Sequence, residues 1–167
     1  ADTIRSNGKN HSLGIKWGAS KFRTDISSET NESGFIGGFA YGYRFDSTWM
    51  VSTGIVSGDS TDCLIVCGGN PYIYRTVDYQ SYILSIKGSL PLNKDWAIFG
   101  TLGLNYYKTK FSGADRNNVT DNGVGALLAT GLDFLVYDDF RIGLETSWQD
   151  MGNINATTFT IKLSYVF

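Results

Sequence analysis

Only two prolines, two cysteines and one histidine occur in the 167 residues, and no apolar run approaches the ~20 residues that a membrane-crossing helix needs. Charged residues make up 18% of the chain, below the ~25% of ordinary soluble domains, which excludes a disordered tail or a charge-laced long helix. Fourteen Lys and Arg stand against sixteen Asp and Glu, so the basic footprint of a nucleic-acid binder is missing. Abundant instead are glycine, at twenty, and aromatic residues, at 14%. Strand formers and tight turns are therefore the expected material, in a single domain spanning residues 1–167. A mean hydropathy of −0.13 does not exclude a membrane. In a transmembrane β-barrel, lipid-facing residues alternate with polar lumen-facing ones, and the average cancels.

A period of two recurs in eight segments. In 157–167, Phe159, Ile161, Leu163, Tyr165 and Phe167 oppose Thr158, Thr160, Lys162, Ser164 and Val166. In 140–149, Phe140, Ile142, Leu144, Thr146 and Trp148 oppose Arg141, Gly143, Glu145, Ser147 and Gln149. Similar alternation predicts strands over about 12–22, 35–45, 49–56, 81–90, 96–107 and 124–137. The sixth strand is the least regular, because Leu127 and Leu135 share a face with Gly125, Gly131 and Asp133.

The predicted connections alternate long and short: 23–33 long, 46–48 short, 58–77 long, 91–95 short, 108–122 long, 138–139 short and 150–156 intermediate. An outer-membrane barrel has this layout, with short periplasmic turns and longer extracellular loops. Trp49, Trp96 and Phe140 open strands after short turns, while Tyr43, Phe45, Tyr165 and Phe167 close strands at the same rim, as an interfacial aromatic girdle would. Tyr82, Tyr106, Trp148 and Phe159 supply a sparser second girdle. A soluble lipocalin-like barrel would also give eight alternating strands, but it has no reason to keep its short turns at one end. The expected fold is thus an all-β, eight-stranded antiparallel transmembrane β-barrel of up-and-down topology.

These residues resemble the small outer-membrane proteins of Gram-negative bacteria, the OmpA transmembrane domain and the OmpX/Ail group, in pattern across nearly the whole chain. The most specific pieces are the C-terminal alternation Phe159, Ile161, Leu163, Tyr165, Phe167, similar to the terminal signal read by the barrel-assembly machinery, and Trp96, Ile98, Gly100, Gly103 after a short turn. The alternation Arg141, Gly143, Glu145, Ser147, Gln149 resembles the penultimate strand of the group. The resemblance implies a non-enzymatic, monomeric protein among outer-membrane lipid and lipopolysaccharide, with extracellular loops and periplasmic termini. It implies surface interaction by the loops: adhesion to host cells or matrix proteins, virulence, or resistance to host defence. The alternative is a structural envelope protein with at most a small pore. Ala1-Asp2 reads as the residue pair left after signal cleavage.

Four constellations have chemical content. Lys16, Lys87, Asp133, Glu145 and Lys162 fall four or five residues up their strands from the short-turn rim; one salt-bridged layer filling the lumen is expected, with Glu145 next to Lys162 and Lys162 near Lys16, and Arg44 and Arg141 are counted in the same lumen charge network. Cys63 and Cys67 flank Leu64, Ile65 and Val66 in the longest loop, where an exported chain would form a disulfide. Two thiols without His or further Cys do not complete a metal site, and no cofactor is expected. The apolar tripeptide, followed by Tyr72 and Tyr74, is either a contact surface for a partner or the loop packing on itself. Loop carboxylates Asp25, Glu29, Glu32, Asp59, Asp62, Asp78, Asp115 and Asp121 either chelate a divalent ion bridging lipopolysaccharide or are simply solvated. His11 beside Ser12 invites a hydrolase reading, but no neighbouring carboxylate orients the imidazole, and a structural or solvated role is expected.

Overall fold

A computed structural model describes residues 9–24, 31–60, 76–112, 119–137, 139–152 and 154–167. Eight strands, β1 (His11–Thr24), β2 (Asn31–Arg44), β3 (Trp49–Ser60), β4 (Thr76–Pro91), β5 (Trp96–Ser112), β6 (Val119–Tyr137), β7 (Phe140–Met151) and β8 (Ile154–Val166), pair antiparallel in sequence order. β8 returns to β1, so the sheet closes and exposes no edge.

The three short connections, the start of β1 and the end of β8 share one rim, here the terminal rim; the residues joining β1 to β2, β3 to β4 and β5 to β6 share the other, the distal rim. Around the Asp46–Thr48 turn, Phe45 donates its N–H to the Trp49 carbonyl, and Ser89 donates its own to Thr48, bracing the turn against β4. Ser47 donates from both backbone and hydroxyl to the Asp46 carboxylate, and these bonds hold that carboxyl below the usual range. Asn93 accepts from the N–H groups of Asp95 and Trp96 in an Asx turn.

The register sets the width of the barrel. Paired residues followed once around the wall run His11, Tyr43, Val51, Ile86, Leu102, Leu128, Trp148, Thr157 and then Lys21, ten residues further along β1. Strands with that stagger tilt by ~40°, and eight of them leave an interior only wide enough for side chains.

Which face is apolar depends on height. On β5, Trp96, Ile98, Leu102, Leu104 and Tyr106 are exposed on the outer face, followed by the exposed Lys108 and Lys110. From Trp96 to Tyr106, a ~3.3 Å rise per residue and a ~40° tilt give a band about 25 Å tall, the height of a bilayer-facing belt. Above the band the faces exchange character. On β1 the outer Leu13, Ile15 and Trp17 give way to Lys21 and Arg23, while the inner Ser12, Lys16 and Ser20 give way to buried Phe22. On β4 the outer Ile86, Leu84 and Tyr82 give way to Gln80 and Asp78, and inner Tyr79 is buried.

This exchange explains where the strands outrun the sequence expectation. β4 starts at Thr76 instead of 81, β5 runs to Ser112 instead of 107, and β6 starts at Val119 instead of 124. The distal connections are correspondingly shorter than 58–77 and 108–122. The irregular sixth strand also resolves: Leu127 points into the lumen at 3% exposure, and a bulge between Leu135 and Tyr137 shifts the register near its end.

Candidate functional site

The lumen has two halves of opposite chemistry. Toward the terminal rim it is charged: Lys16 donates to Glu145 Oε1 at 3.0 Å and Lys87 to Asp133 Oδ2 at 2.5 Å, with all four side chains at about a tenth exposure or less. The Lys87 ammonium also sits 3.7 Å from the centroid of the Phe99 ring, a cation–π contact that partly replaces lost hydration. Gly131 makes room for that ring, since a Cβ there would meet Phe99 Cζ at 2.7 Å and the Leu144 carbonyl oxygen at 2.0 Å. Lys162 is the cross-strand partner of Lys16 and electrostatically attracts both Glu145 and Asp133.

The expected single layer is instead two tiers. Lys16, Lys162 and Glu145 form the upper one, Lys87 and Asp133 the lower, with Arg44 and Arg141 beneath at the rim. The ten-residue stagger is the reason: equal counts from strand ends are not equal heights, and β6 starts its count below its neighbours. Glu145 and Lys162 lie within electrostatic reach on neighbouring strands as expected, but the ion pair of Glu145 is with Lys16. Register places Gly143 opposite Lys162 and Thr160 opposite Glu145, and the Glu145 carboxylate reaches across β8 to Lys16. A cavity of about 50 Å³, lined by Lys16, Ser52, Ser85, Lys87, Glu145 and Lys162 and closed on its distal side by Val56, Ile83 and Leu127, has room for roughly three waters.

A belt of polar residues follows. Ser147 and Thr158 hydroxyls lie 2.5 Å apart, and Asn105 Nδ2 donates to Gln149 Oε1 at 3.3 Å. Toward the distal rim the lumen is then filled by Phe22, Ile36, Val56, Tyr79, Ile83, Tyr107, Leu127, Met151, Ile154 and Ala156. Phe22 meets Tyr79 edge-on, with ring centroids 5.4 Å apart. The alternation pattern places Ile36, Val56 and Tyr107 on this inner face but does not reveal that they join Phe22 and Tyr79 in a continuous apolar fill. Continuing the inward parity of β1 and β4 past Ser20 and Ser81 would have found Phe22 and Tyr79.

Outside, Tyr43, Phe45, Trp49, Trp96, Phe140, Tyr165 and Phe167 are all exposed around the terminal rim. Trp96 packs on Phe134 and Phe140 on Tyr165, with centroids 4.7 and 5.0 Å apart. His11 joins this ring, its Nδ1 2.6 Å from the Tyr41 hydroxyl and its plane stacked on Phe167. Ser12 faces the lumen, where its hydroxyl contacts Met50 Sδ at 3.6 Å, so the strand pleat sets His11 and Ser12 on opposite faces.

Cys63, Leu64, Ile65, Val66, Cys67, Tyr72 and Tyr74 lie outside the described residues, as do Asp25, Glu29, Asp62 and Asp115. Of the remaining rim carboxylates, Asp59 and Asp78 are direct cross-strand partners, and Lys110 is the next residue in that row. Among the described residues no group of three His, Cys, Asp or Glu gathers to hold a metal.

A closed barrel with a ~25 Å apolar belt and a filled lumen defines a small transmembrane β-barrel. The chain belongs to the family of the outer membrane protein beta-barrel domain, whose model matches residues 5–167, and is thus a protein of the bacterial outer membrane. No match is found among curated protein sequences. Among solved structures, the chain resembles Ail, the attachment invasion locus protein of Yersinia pestis, at a TM-score of 0.65 and 19% identity over 95% of this chain and 99% of that one. Ail in complex with the heparin analogue sucrose octasulfate gives 0.66 and 18%, again over 95% and 99%. Neisserial surface protein A gives 0.77 at 10% identity, over 94% of this chain and 97% of that one. At these identities the likeness is one of fold.

Proposed function

We propose that the protein works by surface contact through its distal loops, as an adhesion or host-defence factor, while the barrel serves as anchor and pedestal. The exchange of face chemistry above the belt carries this reading. Past the apolar band the strands become polar outside and apolar inside, so the barrel continues into water as a soluble barrel would and lifts the loops clear of the membrane. Lipid alone does not require that extension, since ~9–11 residues cross a bilayer and β4, β5 and β6 have 16, 17 and 19.

The apolar fill of the distal lumen supports surface contact over conduction, because an ion path there would have to cross desolvating side chains. In this reading the termini face the periplasm, and Trp49, Trp96, Phe140, Tyr165 and Phe167 sit as a girdle at the inner interface. Lipid and lipopolysaccharide surround a monomer, and the terminal strand is what the barrel-assembly machinery reads. A Cys63–Cys67 disulfide would constrain the longest loop and present Leu64, Ile65, Val66, Tyr72 and Tyr74.

Ail is an attachment invasion locus protein and forms a complex with a heparin analogue, which makes immobilised heparin and epithelial cells the first surfaces to assay. A non-adherent bacterium displaying the chain is expected to attach, and replacing residues 61–75 with a short Gly/Ser linker should abolish attachment while heat-modifiable gel mobility shows the barrel still folded. Equal attachment by both forms, or none by the intact chain, would remove the loop from this role.

A further inference from the structure

The charged half of the lumen is unbalanced. Five cationic side chains, Lys16, Arg44, Lys87, Arg141 and Lys162, point into it against two carboxylates, Asp133 and Glu145, and each carboxylate is already bonded to a lysine. Uncompensated charge in so narrow a space is costly, and the surplus must be met by an anion or by displacement toward water. Two of the surplus cations meet at one place. Arg44 and Arg141 line a single pocket at the mouth of the lumen with Ser47, Ser89 and Asp133, where Arg44 feels both the repulsion of Arg141 and the attraction of Asp133. Among the described residues, neither guanidinium has a carboxylate within ion-pair distance.

A second observation in the same pocket points to a ligand. Arg141 Nε and Ser89 Oγ are both buried without a hydrogen-bond partner among the described residues. Arg44 donates one bond, from its Nη1 to the Ser47 carbonyl at 3.0 Å, which leaves the rest of its donor fork available. The pocket thus offers two guanidinium forks and a hydroxyl. Its one acid, Asp133, is ion-paired with Lys87 at 2.5 Å, so its charge is shared between that lysine and the two guanidinium groups it attracts. Ser47 and Pro91 are exposed, so the pocket opens to solvent at the terminal rim.

We infer that the terminal mouth of the lumen is a binding site for a small tetrahedral oxyanion, phosphate in chemical class, held by the Arg44 and Arg141 guanidinium groups and the Ser89 hydroxyl. Two planar forks lining one pocket suit the several oxygens of such an ion better than a monatomic halide. A bound anion would also offset the lumen's excess positive charge. The site belongs to the barrel and not to the distal loops, so it stands or falls independently of the adhesion reading.

The test is nuclear magnetic resonance of arginine Nε–Hε groups in a phosphate-free maltoside micelle, titrated with inorganic phosphate and, separately, with chloride at matched ionic strength. Saturable shifts of the Arg44 and Arg141 resonances with phosphate alone are expected. Arg141→Gln should weaken binding about tenfold, and Arg44→Lys, which keeps the charge but loses the fork, should also weaken it, with backbone spectra showing both variants folded. Shifts no larger than those with chloride would overturn the site. So would shifts produced by a phosphocholine detergent and not by inorganic phosphate, which would assign the contact to a lipid headgroup.

Discussion

Glu145→Gln is expected to destabilise the barrel by about 3–5 kcal/mol, the cost of breaking a buried ion pair from one side. The asymmetry around this residue makes the prediction specific. Lys16 and Lys162 are direct cross-strand partners on adjacent strands, and like charges so placed repel. Glu145, one strand further on, bonds the first and attracts the second. Removing its charge leaves two ammonium groups facing each other in a narrow lumen. Lys16→Met should cost less, because Lys162 still compensates the carboxylate. Lys162→Met should recover part of the loss when combined with Glu145→Gln. Urea unfolding in lipid vesicles, followed by heat-modifiable mobility, measures all three variants. Equal costs for Glu145→Gln and Lys16→Met would mean that Lys162 takes no part.

Leu102→Arg is expected to cost about 2–4 kcal/mol, and Leu90→Arg no more than about 1 kcal/mol. Both leucines are outward and equally apolar, at 59% and 63% exposure, so in a soluble barrel either arginine would be harmless. They differ in depth. Leu102 lies about midway between Trp96 and Tyr106 on β5, at the centre of the belt, whereas Leu90 is one residue from the end of β4 at the terminal rim. The same unfolding assay reads the difference, and equal small costs at the two positions would contradict a lipid-facing belt.

The strands were legible because lipid outside and packed polar groups inside impose opposite demands on alternate residues, as in Phe159 to Phe167 against Thr158 to Val166. The same contrast hid the ends of the strands. Where β1 leaves the belt, Lys21 and Phe22 reverse the rule that Leu13 and Ser12 obey, and the reversal reads as a strand ending when it marks a change of surroundings. The charged lumen residues were also legible one by one, since Lys16, Glu145 and Lys162 each interrupt a small or polar face. Their partners were not. Whether Glu145 meets Lys16 or Lys162 depends on stagger accumulated over eight pairings, and no local pattern carries that sum. The pocket between Arg44 and Arg141 was hidden for the same reason, because it joins β2 to β7 across the lumen. Phe99 was hidden differently: its inward ring reads as an error in a polar face until the Lys87 ammonium is seen above it.

Every functional statement about the loops depends on which side of the membrane they occupy, and cysteine accessibility tests this directly. With Cys63 and Cys67 both replaced by serine, Asp115→Cys places one thiol in the connection between β5 and β6, and Asn93→Cys places one in the tight turn between β4 and β5. A membrane-impermeant maleimide applied to intact cells should label position 115 at once, and position 93 only after the outer membrane is permeabilised. Labelling of position 93 in intact cells, with position 115 protected, would turn the barrel over and contradict a role in contact at the cell surface.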